Sequence, residues 1–345
     1  MEFANVLLKW FRENGRDLPW RQTRDPYAIW LSEIILQQTQ VKQGWEYWER
    51  FMRHWPTVEA LAAATEDEVL REWQGLGYYS RARNLHYAAK QIVALGHFPN
   101  TLEEIKQLKG VGDYTAAAIG SIAFDLPAAV VDGNVFRVLS RYFGIDTPID
   151  SMAGKKLFTA LAQDNLDESC PAEYNQAMMD FGALQCTPQS PACMYCPLAE
   201  TCVAFRTGMA EELPVKQQKL SVKTRHFNYL WVKAGEYTYI NKRTEKDIWQ
   251  NLYELPLVES EHELSQIELL ERMKPWLTDD EEIQLDLLIQ GVKHVLTHRV
   301  IMANFYQVTL PPGSSSFSSF IMVKPESLAS YAFPRLITSF LNKSH

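Results

Sequence analysis

Apolar residues recur every three or four positions through residues 1–205, as in Tyr79–Leu95. This spacing is typical of amphipathic helices that pack one face against a core. Helix-start signals occur along this part of the chain: Asp25-Pro26 combines a capping side chain with a first-turn proline, and Thr65 precedes Glu68 with capping-box spacing. The pattern therefore predicts a mainly helical region over residues 1–205.

The pattern changes after residue 205. Residues 206–225 are polar and charged, and we expect them to form a linker. Beyond them, three segments alternate between apolar and polar residues, which predicts strands: Phe227–Lys233, Glu236–Lys242 and Asn304–Leu310. Helical spacing returns near 262–275 and 325–342. Residues 226–345 are therefore predicted to form a smaller α+β domain.

Four of the five cysteines lie within one short stretch, with the spacing C-x6-C-x2-C-x5-C: Cys186, Cys193, Cys196 and Cys202. A large chain that is otherwise nearly free of cysteine is unlike a disulfide-stapled secreted domain, so we expect these residues to bind metal. Zinc accepts four thiolates, usually from two C-x2-C pairs, and this chain has one such pair. An iron–sulfur cluster fits the spacing at least as well.

The charge of the chain limits how it could bind nucleic acid. Residues 1–212 hold 19 Lys and Arg against 27 Asp and Glu, which accounts for the whole net charge of −8. Binding to DNA would therefore need a local basic surface and backbone N–H groups. No apolar run approaches the roughly 18 residues that span a bilayer, and the N-terminus lacks a signal-peptide pattern. We expect a cytoplasmic protein with no membrane partner.

Residues 105–123 place Gly-Val-Gly between two helical patterns. Gly110 and Gly112 permit a tight turn and the close approach of another backbone. The N–H groups at the start of the second helix point outward and can bind phosphate. This is the pattern of a helix-hairpin-helix element, although an ordinary turn between two antiparallel helices fits it equally well.

Two carboxylic acids fit either catalysis or a structural role. Glu33 lies in the apolar segment Trp30–Leu36, where burial would raise its pKa and let it hold a proton near neutral pH. Alternatively, it lies on an exposed face beside Gln37. Asp132 precedes Gly133 as a helix N-cap would. An ionised carboxylate at that place could also face a developing cation.

A glycine turn followed by aromatic and basic residues lies at Gly75–Arg83. Its side chains would suit a wedge that enters a DNA duplex, with arginines that bind phosphate. A loop that leads into a basic helix face would have the same composition.

Together, these segments resemble the MutY-type adenine DNA glycosylases, of the helix-hairpin-helix superfamily that includes endonuclease III. The matching segments occur in the family's order: Leu18–Arg21, Trp30–Val41, Gly75–Leu85, the Gly-Val-Gly turn, Val131–Val135 and the four cysteines. The resemblance implies a helix-hairpin-helix glycosylase fold, a [4Fe-4S] cluster bound by those cysteines, and a Nudix-like recognition domain over residues 226–345.

The resemblance also implies the reaction. The protein would release adenine mispaired with 8-oxoguanine or guanine in double-stranded DNA. Glu33 would protonate N7 of the adenine, and Asp132 would stabilise the oxocarbenium-like sugar, with Tyr114 and Asn134 supporting that carboxylate. Further residues are implied to contact the DNA: Trp20, Arg21, Leu36, Gln38, Leu76, Tyr78, Gly110, Val111, Gly112, Thr297 and His298. We expect a DNA-associated prokaryotic protein that acts as a monomer.

One position predicts the type of glycosylase. Strand-cleaving relatives carry a lysine just after the hairpin, whose amine forms a Schiff base with the sugar. This chain has Tyr114 there, and a phenol cannot form an imine. The resemblance therefore implies a monofunctional glycosylase that leaves an abasic site.

The second domain resembles the family less closely. Leu296 replaces an aromatic residue ahead of Thr297-His298, and Asn251-Leu-Tyr-Glu-Leu-Pro256 departs from the usual Gly-Leu-Trp-x-x-Pro. The acidic signature of Nudix hydrolases is absent from the sequence, so we expect this domain to bind and not to hydrolyse.

Two other functions remain open. The chain could be an endonuclease III-like or thymine-mismatch glycosylase, although Tyr114 argues against the former and the long C-terminal domain against both. It could instead be a non-enzymatic iron–sulfur electron carrier. The cysteine loop alone would suffice for that function, but the hairpin and the two carboxylic acids would then have no role.

Overall fold

The computed structural model describes residues 2–217, 222–278 and 282–343, which form two compact units. The first unit comprises Met1–Ala63 and Asn84–Gln218, and the second comprises Ala64–Arg83 and Lys219–His345. The sequence pattern places residues 64–83 in the helical region over residues 1–205, whereas their contacts group them with the second unit. Helical spacing shows that a segment buries one face, but it does not show which part of the chain covers that face.

The first unit is helical, as its sequence predicts. The helices that lie wholly within it are α1 (Glu2–Asn14), α2 (Pro26–Leu36), α3 (Val41–His54), α4 (Val58–Ala63), α7 (Leu102–Lys106), α8 (Asp113–Phe124), α9 (Gly133–Phe143), α10 (Met152–Asp164), α11 (Pro171–Leu184) and α12 (Val203–Thr207). Helix α6 (Ser80–Leu95) contributes residues to both units.

Capping chemistry fixes several helix starts. The Asp25 side chain accepts a hydrogen bond from the backbone N–H of Tyr27 at the start of α2, and Pro26 takes the first helical position. Ser151 caps α10 in the same way. Because such bonds join residues close in sequence, the start of α2 could be predicted correctly from Asp25-Pro26.

The core of the first unit is formed mainly by α1, α8, α9 and α11. Its largest buried side chains include Phe158, Tyr174 and Phe181. Helices α2 and α8 are buried over most of their length. Polar groups on these two helices are therefore shielded from water, which matters for the site described below.

The predicted hairpin is present between α7 and α8. Gly110 has a φ of 81°, and a Cβ at this position would lie 2.7 Å from Cβ of Asn84. Only glycine satisfies both the left-handed backbone and the close approach. Gly112 is the N-cap residue of α8.

The second unit combines two sheets with short helices. Its elements are α5 (Glu66–Glu72), β1 (Lys223–Lys233), β2 (Thr238–Lys242), β3 (Tyr253–Glu254), β4 (Leu257–Ser260), α13 (Gln266–Met273), β5 (Gln284–Val295), β6 (Arg299–Thr309), β7 (Ile321–Val323) and α14 (Arg335–Leu341). One sheet has the strand order β4-β1-β6-β5, with β1 and β6 parallel, and the other has the order β3-β2-β7. The predicted α+β class is confirmed.

The predicted linker over 206–225 is largely ordered. Helix α12 extends to Thr207, and residues further along bond to the first unit: the backbone N–H of Ile149 donates to the Val215 carbonyl at 3.0 Å, and the N–H of Gln217 donates to Asp150 at 2.9 Å. Strand β1 begins at Lys223. Residues 218–221 lie outside the described residues.

Among the helices that the structure describes, none is long and apolar enough to cross a membrane.

Candidate active site

A cavity of about 400 Å³ lies in the first unit, between α2, α8, α11 and the segment that leads into α9. Seven of the residues implied by the sequence resemblance line it: Trp20, Arg21, Glu33, Leu36, Gln38, Tyr114 and Asp132. They come from four separate parts of the chain, so the fold brings together residues up to 112 positions apart in sequence.

Glu33 is held inside the apolar helix α2. It is 7% exposed, and the hydroxyl of Tyr114 donates to its Oε2 at 3.0 Å. Burial raises the pKa of Glu33 to about 7, the Tyr114 hydrogen bond opposes this shift, and the nearby Asp132 carboxylate adds to it. Glu33 is therefore a carboxylic acid that can hold a proton near neutral pH.

Asp132 is the N-cap residue of α9. Its Oδ1 accepts from the backbone N–H groups of Asn134 and Val135, both at 2.8 Å, and its Oδ2 accepts from the Asn134 side-chain amide at 2.8 Å. Burial raises the pKa of Asp132, and these three hydrogen bonds oppose that shift because they favour the charged form. The sequence offered two alternative roles for Asp132, a helix N-cap and a carboxylate that faces the site. In the structure Asp132 both caps α9 and lines the cavity.

The support expected for Asp132 is present only in part. Asn134 donates to it as expected, but the Tyr114 hydroxyl donates to Glu33 and lies 3.5 Å from Sδ of Met179. Burial raises the pKa of Tyr114 well above its usual value. Tyr114 is therefore bonded to the candidate acid Glu33, whereas the resemblance implies that it supports Asp132.

Asn134 is itself held by Arg137. The Arg137 Nη2 donates to Oδ1 of Asn134 at 2.8 Å and to the Gly182 carbonyl at 2.6 Å, and its Nε donates to the Cys186 carbonyl at 2.7 Å. One buried guanidinium thus links the residue that supports Asp132, helix α11 and the start of the cysteine loop.

Three residues of α11 that the sequence did not single out belong to this site. Gln176 and Met179 line the cavity. Asp180 is fully buried and accepts from Nη1 and Nη2 of Arg21, both at 2.8 Å, and from Nε of Arg16 at 2.9 Å. These bonds lower the pKa of Asp180 despite its burial. An acid inside an apolar helix is the same signal that pointed to Glu33, so it could have been found.

The four cysteines of the predicted metal site line one small cavity of the first unit, together with apolar side chains such as Phe181 and Leu198. The Arg141 Nη1 lies 3.4 Å from Sγ of Cys186, and the same guanidinium donates to the carbonyls of Thr187, Pro188 and Leu213. Arg141 is 2% exposed. A buried cation beside partly buried thiols is a suitable setting for thiolate ligands.

Among the described residues, no group of three or more Cys, His, Asp or Glu side chains is placed to hold a metal ion. Burial raises the pKa of Cys196 to about 11, so this sulfur would need a cationic centre to become a thiolate. Four cysteines that line one cavity supply the kind of donor set that either zinc or an iron–sulfur cluster takes.

The second unit has a cavity of its own, of about 370 Å³. Leu76, Tyr78, Thr297 and His298, all implied by the resemblance, line it together with Trp249. The hydroxyls of Tyr78 and Thr297 are hydrogen bonded to each other. Leu76 is buried, whereas Tyr78 is exposed and has a φ of 45°. The residues that the resemblance implies for catalysis and DNA contact thus line two cavities, one in each unit. Asn134, Gly110, Val111 and Gly112 are exceptions that line neither of these two cavities.

Comparison with known proteins matches both parts of the chain. The family model of the HhH-GPD superfamily base excision DNA repair protein matches residues 31–163, and that of the NUDIX domain matches residues 228–343. Among solved structures, a thermostable thymine-DNA glycosylase is 30% identical with a TM-score of 0.56, covering 59% of this chain and 95% of that one. A non-covalent endonuclease III–DNA complex, 24% identical with a TM-score of 0.52 and covering 60% and 95%, shows the same fold.

The first unit therefore has the fold of a helix-hairpin-helix base excision repair protein, and the second region is Nudix-like. Adenine DNA glycosylase of Buchnera aphidicola subsp. Baizongia pistaciae is 34% identical over 307 residues, which are 88% of this chain and 84% of the relative. The chain belongs to the adenine DNA glycosylase family.

The mammalian relatives are more similar over a shorter stretch. The mouse enzyme is 45% identical over 227 residues and the human enzyme 44% identical over 222, each match covering 61% of this chain. These matches span 44% and 41% of the two relatives, so the chain aligns with less than half of their length.

Proposed function

We propose that this protein hydrolyses the N-glycosidic bond of adenine paired with 8-oxoguanine or guanine in double-stranded DNA, and leaves an abasic site. The observation that carries the proposal is one cavity holding two carboxyl groups in different environments. Glu33 is buried beside a single hydroxyl donor, whereas Asp132 accepts three hydrogen bonds. Such different surroundings favour the protonated acid at Glu33 and the ionised carboxylate at Asp132.

Glu33 is the general acid. Adenine must leave the base stack before its glycosidic bond can be reached, and the cavity receives it. Protonated Glu33 gives its proton to N7, so the electron pair of the bond between C1′ and N9 can leave with the base. General acid catalysis of this kind contributes about 10²–10⁴ in rate, or roughly 3–5.5 kcal/mol.

Asp132 faces the sugar. As the glycosidic bond breaks, positive charge develops at C1′, and the ionised carboxylate stabilises it. Preorganised charge of this kind contributes about 3–4 kcal/mol. Water then adds to C1′ and releases a proton. Typical enzymes lower the activation free energy by at least about 8 kcal/mol, and neither contribution alone reaches that value. Both carboxyl groups and the positioning of the substrate are therefore needed.

Trp20, Arg21, Leu36 and Gln38 hold the base in the cavity, and Asp180 keeps Arg21 at its wall. The hairpin residues Gly110, Val111 and Gly112 bind a DNA phosphate through backbone N–H groups at the start of α8. Backbone groups can do so despite the net charge of −8. A monomer with one cavity suffices for this reaction.

Cys186, Cys193, Cys196 and Cys202 would hold a [4Fe-4S] cluster. When bound, the cluster serves structure and not catalysis, because four thiolates leave no position for a substrate. Arg141 and Arg137 then tie the cysteine loop to helix α9, whose N-cap is Asp132.

The cavity of the second unit reads the base opposite adenine. Thr297, His298 and Tyr78 supply hydroxyl and imidazole groups that can distinguish 8-oxoguanine from guanine, and Leu76 fills space left in the duplex.

A single-turnover glycosylase assay tests the proposal on duplexes with adenine opposite 8-oxoguanine, guanine or thymine. We expect adenine release from the first two, and a loss of about 10²–10⁴ in rate for Glu33→Gln. Asp132→Asn should lose about 10²–10³ in rate. The control is Glu103→Gln, which changes an exposed first-turn acid of α7. Full activity of either carboxyl variant would overturn its role, and release of thymine opposite guanine would favour the thymine-mismatch alternative.

A further inference from the structure

Helix α5 carries two acidic residues in its first turn that the proposed reaction does not use. Glu66 Oε1 accepts from the Asn251 side-chain amide at 2.5 Å. Asp67 Oδ1 accepts from Nζ of Lys242 at 2.6 Å, and its Oδ2 accepts from the hydroxyl of Tyr253 at 3.1 Å. All five residues belong to the second unit.

Two of these donors lie where the chain departs from the sequence pattern Gly-Leu-Trp-x-x-Pro. Asn251 has a φ of 65°, a backbone conformation that favours glycine and that asparagine tolerates better than most residues. Asparagine thus keeps the turn and adds an amide, which glycine lacks. Tyr253 is buried with its hydroxyl directed at Asp67. Both departures therefore supply hydrogen-bond donors to the same helix turn.

The loop that carries Asn251 also bonds to Arg83, at the other end of residues 64–83. The Arg83 Nη1 donates to the Gln250 carbonyl at 2.7 Å, and its Nη2 donates to Oε1 of Gln250 at 3.3 Å. The neighbouring Trp249 lines the same cavity as Tyr78 and Thr297. Residues 64–83 are thus bonded at both ends to residues near that cavity.

The loop between these ends needs such support. Gly75, Gly77 and Tyr78 all have positive φ values, of 102°, 73° and 45°. For a bulky residue such as tyrosine this conformation is strained, and it persists only when the surroundings fix it. Hydrogen bonds at both ends of the loop reduce the conformations open to it.

We propose that Glu66 and Asp67, with Lys242, Asn251 and Tyr253, form a latch that positions the loop of residues 75–79 in the cavity of the second unit, so that Asp67 is a positioning residue for discrimination of the base opposite adenine. The role in discrimination rests on the proposed function. The latch itself does not, because it is defined by contacts within one unit.

Hydrogen–deuterium exchange of the full-length protein tests the latch without any substrate. The variants are Asp67→Asn and Lys242→Met, with Glu103→Gln, an exposed first-turn acid of α7, as the charge-matched control. The Asp67–Lys242 pair is partly exposed, at 44% and 32%. We therefore expect only about threefold faster exchange for residues 75–83 in the two latch variants, and unchanged exchange for α8 in all three.

A charge exchange, Asp67→Lys with Lys242→Asp, distinguishes the ion pair from general damage. It restores attraction between positions 67 and 242 but not the bond from Tyr253, so it should recover part of the protection. Single-turnover rates give the second measurement. The ratio between the rate of adenine release opposite 8-oxoguanine and the rate opposite guanine should fall about threefold to tenfold in the latch variants. This size corresponds to the loss of one partly exposed charged contact and one hydrogen bond.

Each result decides one part of the proposal. Unchanged exchange in both single variants overturns the latch. Faster exchange with an unchanged ratio of rates overturns the positioning role. If no duplex releases adenine, the proposed function fails while the exchange measurement still decides whether the latch exists.

Discussion

Burial raises the pKa of Glu33 to about 7, and the proposed reaction needs this residue in its protonated form. We therefore expect the single-turnover rate to fall as the pH rises through about 7, when Glu33 loses its proton. The rate should also fall at low pH, where Asp132, whose pKa burial raises, becomes protonated and can no longer stabilise the sugar cation. In Glu33→Gln the remaining activity should not show the decrease through pH 7, because glutamine has no proton to lose over this range. A rate that rises through pH 7 in the parent would contradict the role of Glu33 as an acid.

Stability gives an independent measurement on the same variant. The folded-state pKa is raised above the usual 4.5, so the folded state binds more protons than the unfolded state between these values. The stability that Glu33 contributes is therefore present below pH 4.5 and is lost as the pH rises through 7, by about 3 kcal/mol in total. Glu33→Gln should thus be the more stable protein at pH 8 by thermal unfolding, although it is the less active one.

Individual residues differ in how far the sequence could place them. Glu33 and Asp132 could be singled out from the sequence and line one cavity, because an acid in an apolar helix and an acid before a glycine each have a local pattern; their catalytic roles stay predictions. The hydrogen bond from Tyr114 to Glu33 could not be predicted, since the direction of a hydroxyl from α8 depends on how α2 packs beside it. Asp180 was missed, although its bonds to Arg16 and Arg21 shape the cavity.

At the scale of elements, α9 and α11 pack so closely that one glycine separates them. A Cβ at Gly182 would lie 2.6 Å from Cβ of Asn134 and 3.1 Å from its backbone. Gly182→Ala should therefore destabilise the protein by about 1–2 kcal/mol, since overpacking outweighs the gain of about 1 kcal/mol in helix propensity. It should also slow adenine release about tenfold or more by displacing Asn134 from Asp132.

Gly133→Ala on α9 is the matched control for stability, because a Cβ there meets no atom within 4 Å. The unfolding temperature of Gly133→Ala should equal or exceed that of the parent protein. If Gly182→Ala also keeps its unfolding temperature and its rate, the close packing of α9 on α11 does not position Asn134.

Elements were predictable where their signals are local. The starts of α2 and α10 follow from capping side chains, and β1, β2 and β6 follow from alternation. The single helix expected near 325–342 is instead a short 3-10 helix over Pro325–Ser330 followed by α14. Pro334 explains the break, because proline lacks an N–H and disfavours helical backbone in the residue before it. The short strands β3 and β7 have too few residues for a periodic pattern.

At the scale of the whole molecule, the chain order of segments and their grouping in space differ. Residues 64–83 lie between two stretches of the first unit in sequence, yet they belong to the second. Hydrogen bonds from Arg83 to Gln250 and from the Tyr79 hydroxyl to the Phe333 carbonyl, at 3.5 Å, explain this. Such long-range pairing has no local signal, which is why the sequence pattern placed these residues with their neighbours.

This grouping makes a prediction about unfolding. Contiguous cooperative units lose amide protection together, so hydrogen exchange measured by mass spectrometry in increasing denaturant should report two sets of amides. We expect residues 66–83 to lose protection at the denaturant concentration at which β1 and β6 lose it, whether the second unit unfolds before or after the first. The end of α6, residues 84–95, should instead follow α8 and α9. If residues 66–83 follow α8 and α9, the segment unfolds with the first unit, and its bonds to Gln250 and Phe333 are too weak to govern its stability.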